Sequence, residues 1–400
     1  MLLLKSYKNY NIILLQNKYK KNLKNVSIYI ISVILRKNYL YKRLQMNFKT
    51  ILGKADFIEF LRGKKATFLL GCSVTKTCEI PNISQAGIPQ KLFLTPTLDA
   101  EFLCIKQVKS LPDIAKTPKG VPTPAIITRA IHELKPFSNI EILNLGLEII
   151  PQIEYFKIHN FDINPSNSID KNANIPAMEI FQKGIEFAQS YETKDDYIIL
   201  AETIPAGTTT ANATAKALGY DCDGYFSSSF KNNPNDIKEK TIKNALANID
   251  SNDDLFDKLS KVSDNMIIFF FLFILGSQNK NLNIVLAGGT QMACVLLVVN
   301  SILRSMDGVL DSSNLALFTT KWIEEDKNSN IKALLEQLDF PINAYSSDFD
   351  FSLSSHPALK LYDEGEAKEG VGCGGALCYA SINGLSKQII TKKIEEFLGE

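Results

Sequence analysis

Two glutamates, each beside a glycine-containing turn, are the residues best placed to do chemistry. Glu202 opens the segment ETIPAGTTT, and Glu369 directly precedes Gly370 in the segment KEGVGCGGA. A carboxylate that is partly buried at such a loop can have a raised pKa and serve as a general base. The alternative for Glu369 is a surface glutamate without a special role, since the chain has 43 acidic residues.

The segment after Glu202 has the composition of an anion-binding turn. An apolar run ends there and a helical pattern begins, and α/β sheets bind ligands at such strand-to-helix junctions. Gly207 would let a phosphate approach the main chain, while Thr208, Thr209 and Thr210 would add hydroxyl donors at the positive end of the helix dipole. The alternative is that the three threonines are ordinary helix caps.

Two more glycine pairs could approach a ligand closely. Gly288 and Gly289 repeat the strand–turn–helix pattern, although a tight turn without a ligand explains them equally well. Gly370 and Gly372, together with Gly375, formally satisfy a dinucleotide-binding pattern, but no parallel strand with an acidic end follows them. A loop that accepts a planar or phosphorylated ligand, with Glu369 at its edge, is the better interpretation.

Together, the two glutamates and the phosphate-type loops suit the transfer of a phosphoribosyl group to a nitrogen base. An enzyme that takes this group from phosphoribosyl pyrophosphate would usually have two adjacent acids before its Thr- and Gly-containing loop. Only Glu202 stands there, so that class is the runner-up.

These loops belong to repeated strand–helix units, which predict an α/β fold over a parallel sheet. Strands are predicted at residues 66–70, 141–145, 197–203, 266–275, 283–287 and 315–320. Helices are predicted at residues 124–134, 176–191, 208–218, 290–303, 331–338 and 387–398. The polar segment 227–254 is predicted to be a loop and a charged helix, which cover either an active-site cleft or plain surface.

Composition and charge exclude several classes of protein. With 400 residues, 45% of them hydrophobic and 22% charged, the chain is globular rather than disordered or fibrous. Residues 1–45 carry a net charge of +10 and the remainder −9. The weakly acidic remainder gives no electrostatic reason to expect nucleic acid or a membrane as partner.

The basic head, residues 1–45, has the composition expected when A/T-rich upstream DNA is translated in error. We therefore predict that Met46 is the true start, with a genuine basic arm as the alternative. The longest apolar run, residues 266–275, is half the length of a membrane helix, so we expect a soluble, cytoplasmic protein.

The seven cysteines include no Cys-x-x-Cys pair, and the three histidines have no metal-ligand spacing. We therefore expect no disulfide framework, no metal and no cofactor. A Ser/His/Asp triad is equally poorly supported.

The chain resembles the nicotinate mononucleotide-dependent phosphoribosyltransferases, in the branch seen in archaea and cyanobacteria. The resemblance covers most of residues 68–380 and includes seven ordered motifs. They are LLGCSVTKTCEIPNISQAG (69–87), TPTLDAE (95–101), GVPTPAIITRA (120–130), AETIPAGTTTA (201–211), LAGGTQM (286–292), TTKWIEED (319–326) and KEGVGCGGA (368–376).

The resemblance implies a doubly wound, Rossmann-like large domain over roughly residues 66–330, and a smaller domain built from segments at both chain ends. It implies a homodimer and two small-molecule substrates, nicotinate mononucleotide and a lower-ligand base such as dimethylbenzimidazole or adenine. The products would be an α-ribotide and nicotinate, in the assembly of the cobalamin nucleotide loop.

By the same resemblance, Glu369 matches the glutamate that acts as base on the incoming ring N–H. Glu202, Gly207, Thr208 and Thr209 match a motif beside the phosphate and the base. Departures from the motif, including Cys373 where the related branch has a small residue, put the acceptor base in doubt. Another base-exchange or salvage phosphoribosyltransferase, or a non-catalytic nucleotide-binding protein, remains the alternative.

Overall fold

The computed structural model describes residues 46–280 and 282–399. Its eight strands are β1 (Phe48–Leu52), β2 (Ala66–Cys72), β3 (Asn139–Asn144), β4 (Lys157–Asn160), β5 (Tyr197–Thr203), β6 (Asn283–Ala287), β7 (Leu315–Thr319) and β8 (Asn343–Ser347). They form one sheet in the order β1-β8-β7-β6-β5-β2-β3-β4. Only β1, which pairs with β8, runs antiparallel. The prediction for residues 1–45 lies outside the described residues.

Fourteen α-helices flank the sheet in the described part of the chain. They are α1 (Asp56–Phe60), α2 (Thr95–Ile105), α3 (Ala125–Leu134), α4 (Ala177–Ser190), α5 (Gly207–Ala217), α6 (Asn235–Leu246), α7 (Leu255–Val262), α8 (Asn265–Gly276), α9 (Thr290–Ser305), α10 (Lys321–Glu324), α11 (Ile331–Leu335), α12 (Pro357–Asp363), α13 (Cys373–Ile382) and α14 (Lys387–Phe397).

Alternate residues of each central strand enter opposite hydrophobic cores, because successive side chains of a strand point to opposite faces. Ile198 and Leu200 pack in one core, with helices of the middle of the chain such as α4, α8 and α9. Ile199 and Ala201 pack in the other, with helices from both ends of the chain such as α1, α3, α13 and α14. The strands therefore carry apolar residues on both faces, as parallel strands covered by helices do.

The doubly wound α/β prediction is confirmed. The chain passes from β2 outward to β3 and β4, and then returns to the other side of β2 for β5 to β8. This reversal places a crevice at the carboxyl ends of β2 and β5, where ligands of such sheets bind. The separate smaller domain is not confirmed, since the described residues from Met46 onward form one compact unit and the segments at both ends of that unit cover one face of the same sheet.

The prediction of a strand at residues 266–275 is wrong, because these residues form helix α8. Asp264 caps the helix, since its carboxylate accepts the main-chain N–H of Ile267 at 2.9 Å. The helix is apolar all round because it packs between α4 and α9 beneath the sheet. A short apolar run fits a buried strand and a buried helix equally well, and here the aspartate cap decides.

Candidate active site

A cleft opens at the carboxyl ends of β2, β5, β6 and β7, and its empty volume is about 840 Å³ including the mouth. It is the place where the order of the sheet reverses. Glu202 and Glu369 both line it, although 167 positions separate them in the sequence. The predicted constellation of two glutamates is therefore brought together by the fold.

Glu369 lies in the loop before α13 and is partly buried beside the end of β7. Its carboxylate is fixed by donors on both oxygens. They are the main-chain N–H groups of Gly370 (3.2 Å), Gly374 (3.0 Å) and Thr320 (3.1 Å), the thiol of Cys373 (3.1 Å) and the hydroxyl of Thr319 (3.3 Å). Burial raises the pKa of Glu369, and these hydrogen bonds oppose the shift by stabilising the anion. The result is an ionisable carboxylate held in one orientation.

Glu202 is the last residue but one of β5 and is only 3% exposed. Burial raises its pKa to about 8, and the negative charges of Glu369, Asp264 and Asp99 act in the same direction, in that order. The Nε2 of Gln291 lies 3.4 Å from its carboxylate. Glu202 is therefore mainly protonated at neutral pH, so it can donate a hydrogen bond as well as accept one.

Gly288 and Gly289 separate the two glutamates. A Cβ on Gly288 would lie 2.7 Å from Met292 Cγ and 3.6 Å from Glu202 Oε1. A Cβ on Gly289 would lie 3.7 Å from Glu369 Cβ, and Gly289 itself lines the cleft. Gly288 is therefore packed against Met292 and does not line the cleft, whereas Gly289 leaves cleft space beside Glu369 free.

The predicted phosphate loop is only partly on the cleft. Gly207 and Thr208 line it, and a Cβ on Gly207 would lie 2.1 Å from Gln291 Nε2. Thr209 is fully buried, and its hydroxyl has no hydrogen-bond partner among the described residues. The hydroxyl of Thr210 is also buried and bonds to the carbonyl of Gly207 at 2.9 Å and to the carboxylate of Asp264.

Of the glycines that follow Glu369, likewise, only some line the cleft. Gly370 lines the cleft with φ +144°, and Val371 follows with φ +52°. Gly372, with φ +59°, instead packs against the sheet, where a Cβ would lie 2.5 Å from Ala201 Cβ. Glycine is required there both by the left-handed backbone and by the close approach to β5.

Asp99 is a third acid of the cleft that the sequence did not single out. It lies on α2 and is 2% exposed, and burial raises its pKa to about 6. The hydroxyls of Thr123 and Thr203 donate to its two oxygens at 2.6 and 2.7 Å, which opposes that shift. A single aspartate inside a helical pattern carries no motif, so only its place within TPTLDAE could have drawn attention to it.

Lys238 is a buried cation beside Thr208 that sequence reasoning also missed. Its Nζ lies 3.2 Å from Thr208 Oγ1 and donates to the carbonyl of Ser227 at 2.8 Å. Burial lowers the pKa of Lys238 to about 7, and the charge of Lys368 adds to the effect while Asp326 opposes it. An anion bound at Thr208 would raise this pKa and draw a proton to Lys238.

The polar segment 227–254 contributes to the cleft at its start, whereas Lys238 contacts the cleft residue Thr208 without lining the cleft itself. Ser227, Ser228 and Ser229 line the cleft wall, and the rest forms α6, which packs against α5. The prediction of a loop and a charged helix is confirmed.

No group of three or more His, Cys, Asp or Glu side chains within the described ranges could hold a metal ion. All seven cysteines are buried and unpaired. None of the helices in residues 46–280 and 282–399 is long and apolar enough to cross a membrane.

Two solved structures from Thermus thermophilus share this fold. A nicotinate-nucleotide-dimethylbenzimidazole phosphoribosyltransferase has a TM-score of 0.52 and 13% identity, covering 84% of this chain and 83% of that chain. A second structure, described as CobT, has a TM-score of 0.55 and 13% identity, covering 86% of this chain and 92% of that chain. The fold is therefore that of this class of protein, as the sequence resemblance implied.

No family model matches the chain, but curated relatives do. The UPF0284 protein of Saccharolobus solfataricus is 35% identical over 344 residues, which are 85% of this chain and 94% of the relative. The UPF0284 protein of Sulfurisphaera tokodaii is 34% identical over 354 residues, 88% of this chain and 97% of the relative. The chain belongs to the UPF0284 family, and the predicted resemblance to the archaeal branch is confirmed.

Proposed function

We propose that the protein transfers the phosphoribosyl group of nicotinate mononucleotide to a nitrogen base, releasing nicotinate and forming an α-ribotide. The acceptor is a lower-ligand base, dimethylbenzimidazole or a relative such as adenine, and the reaction belongs to the assembly of the cobalamin nucleotide loop. The observation that carries the proposal is Glu369, an oriented carboxylate at the wall of a cleft that also presents a phosphate-type loop.

Glu369 acts as the general base. It takes the N–H proton of the acceptor ring while the freed nitrogen lone pair forms a bond to C1′ of the ribose. The bond from C1′ to the pyridinium nitrogen breaks, and its electron pair stays on nicotinate, which leaves as a neutral pyridine ring. Attack on the face opposite the leaving group inverts the β-nucleotide to the α-ribotide. The proton on Glu369 then passes to solvent.

The phosphate of the donor binds at the start of α5. Gly207 lets it approach the main chain, and the hydroxyl of Thr208 donates to it at the positive end of the helix. Lys238, 3.2 Å from that hydroxyl, becomes fully protonated and neutralises part of the phosphate charge. Glu202, protonated at neutral pH, donates to an acceptor atom of the bound base and avoids repelling Glu369.

The test is a choice of donor. Purified protein is incubated with dimethylbenzimidazole, 5-hydroxybenzimidazole or adenine and with either nicotinate mononucleotide or phosphoribosyl pyrophosphate, and the ribotide is measured by mass. Product from nicotinate mononucleotide supports the proposal. Product from phosphoribosyl pyrophosphate alone contradicts it and supports a salvage transferase, and no product from either, with tight nucleotide binding, supports a non-catalytic role.

The homodimer is part of the same proposal, because it follows from the family resemblance. Light scattering of the purified protein should give twice the mass of 44.6 kDa. If a chain that starts at Met46 is used instead, the expected mass is reduced accordingly.

A further inference from the structure

Asp99, Thr123 and Thr203 form a part of the cleft wall whose hydrogen-bonding groups have no role in the reaction proposed above. All three residues line the cleft, and none is more than 7% exposed. Thr203 directly follows Glu202 on β5, whereas Asp99 comes from α2 and Thr123 from the loop before α3. Three separate segments therefore place one carboxylate and two hydroxyls side by side.

The directions of these hydrogen bonds are fixed by chemistry. An ionised carboxylate only accepts, so both hydroxyl protons point to Asp99, at 2.6 Å from Thr123 and 2.7 Å from Thr203. The hydroxyl oxygens can then offer only lone pairs to a ligand. The oxygen of Thr123 already accepts the main-chain N–H of Ala125 at 3.2 Å, which leaves Thr203 as the more open acceptor.

Asp99 also has acceptor capacity to spare. A carboxylate can accept about four hydrogen bonds, and the described residues supply one to each oxygen. The groups that line this place can therefore only accept, so a ligand donor gains a hydrogen bond here, whereas a ligand acceptor meets only lone pairs. An apolar group, such as a ring methyl, would not make this additional hydrogen bond and would exclude water from the spare lone pairs.

We infer that Asp99, Thr123 and Thr203 form a donor-selecting subsite, which binds an O–H or N–H group of a substrate and rejects analogues that lack it. This inference rests on the proposed function and specifies which substrates the protein accepts. The donor can come from two sources, a ribose hydroxyl of the nucleotide or an exocyclic amino or hydroxyl group of the acceptor base. A site of this kind discriminates by about tenfold or more, because the analogue loses a hydrogen bond to a buried, charged acceptor.

Asp99→Asn is the sharpest variant, because it keeps the shape but replaces one acceptor oxygen with an NH₂ donor. The matched control is Asp264→Asn. Asp264 is also buried and also accepts a threonine hydroxyl, from Thr210, but it does not line the cleft. Thr203→Val is the second variant. If Asp99→Asn does not fold, Thr203→Val takes its place in the measurement of substrate discrimination described next.

The experiment measures two discrimination ratios from kcat/KM. The base ratio compares adenine with purine and 5-hydroxybenzimidazole with benzimidazole, and the ribose ratio compares nicotinate mononucleotide with its 2′-deoxy and 3′-deoxy analogues. We expect one of the two ratios to fall about tenfold or more in the cleft variant and to hold in Asp264→Asn. The ratio that falls identifies the source of the donor group.

Release of nicotinate by the wild-type protein with both ratios unchanged in the cleft variant overturns the subsite and leaves the proposed function standing. Equal falls in the cleft variant and in Asp264→Asn also overturn it, because a general loss of packing would then explain both. Absence of any release by the wild-type protein overturns the proposed function and the subsite with it.

Discussion

Glu369 and Glu202 face the same cleft, and burial raises the pKa of both carboxyl groups, but the hydrogen bonds around the two groups differ. Glu369 receives five hydrogen bonds from described donors, which stabilise its negative charge. Glu202 has a contact of 3.4 Å to Gln291, and its pKa is raised to about 8. Two acids of one site whose surroundings differ in this way can have different tasks. This difference supports the proposed roles, the general base for Glu369 and a neutral hydrogen-bond donor for Glu202.

The largest expected effect comes from Glu369→Gln. The amide keeps the size of the side chain but cannot take a proton, so kcat should fall by about 10² to 10⁴. Affinity for nicotinate mononucleotide, measured by calorimetry, should stay within a few-fold. Full activity of this variant would remove Glu369 from the mechanism.

Glu202→Gln should cost much less at neutral pH, about tenfold or below, because glutamine replaces a side chain that is already neutral and can donate. In the wild type, activity should decline as the pH rises through about 8, when Glu202 ionises beside Glu369. A pH–rate profile of the variant should lack this decline. An unchanged alkaline limb would show that Glu202 is not the group that titrates.

Glu202 also makes stability depend on pH. Its folded-state pKa lies above its ordinary value of 4.5, so the protonated folded state is favoured below pH 4.5 and that advantage is lost as the pH rises towards 8. Glu202→Gln should therefore raise the melting temperature more at pH 8 than at pH 5. Equal shifts at both values would contradict the neutral state assigned to Glu202.

Substitution of Thr208 should have a smaller effect, and the same substitution at Thr209 serves as its control. Thr208→Val removes a cleft hydroxyl and should weaken binding of nicotinate mononucleotide by about five- to tenfold, the value of one hydrogen bond. Thr209→Val removes a buried hydroxyl without a partner among the described residues, so affinity should hold and stability should not fall. Equal affinities in the two variants would mean that Thr208 is only part of the helix.

Cys373→Ala should have the smallest effect. It removes the thiol that donates to Glu369 at 3.1 Å, so the pKa of Glu369 should rise and the acidic limb of the pH–rate profile should move to higher pH. Cys373→Ser, which keeps a donor, should not show this shift. A shift of the same size in both variants would point to packing rather than to the hydrogen bond.

The sequence predicted the central strands well because their apolar, β-branched runs end at clear turns. The predicted strands 197–203 and 283–287 match β5 and β6 residue for residue. The short strands β4 (KIHN) and β8 (NAYSS) were missed because they have few apolar residues, and α8 was misassigned because a short apolar run is ambiguous.

The candidate site was predictable where a glycine-containing loop follows or precedes an acid, as at Glu202 and Glu369. It was not predictable where the chemistry arises only in three dimensions. Asp99 reaches the cleft because α2 packs near β5, and Lys238 reaches Thr208 because α6 packs against α5. The position of each threonine around helix α5 likewise decides whether its side chain faces the cleft. Thr208 lines the cleft, whereas Thr209 and Thr210 are buried.

The most direct test follows nicotinate release from nicotinate mononucleotide in the presence of each acceptor base, for the wild-type protein and for Glu369→Gln side by side. We expect base-dependent release by the wild type, a ribotide of the expected mass with α configuration by NMR, and loss of most turnover in the variant, which should still bind the nucleotide. Release without a ribotide, a β product, or equal turnover by both proteins would contradict it.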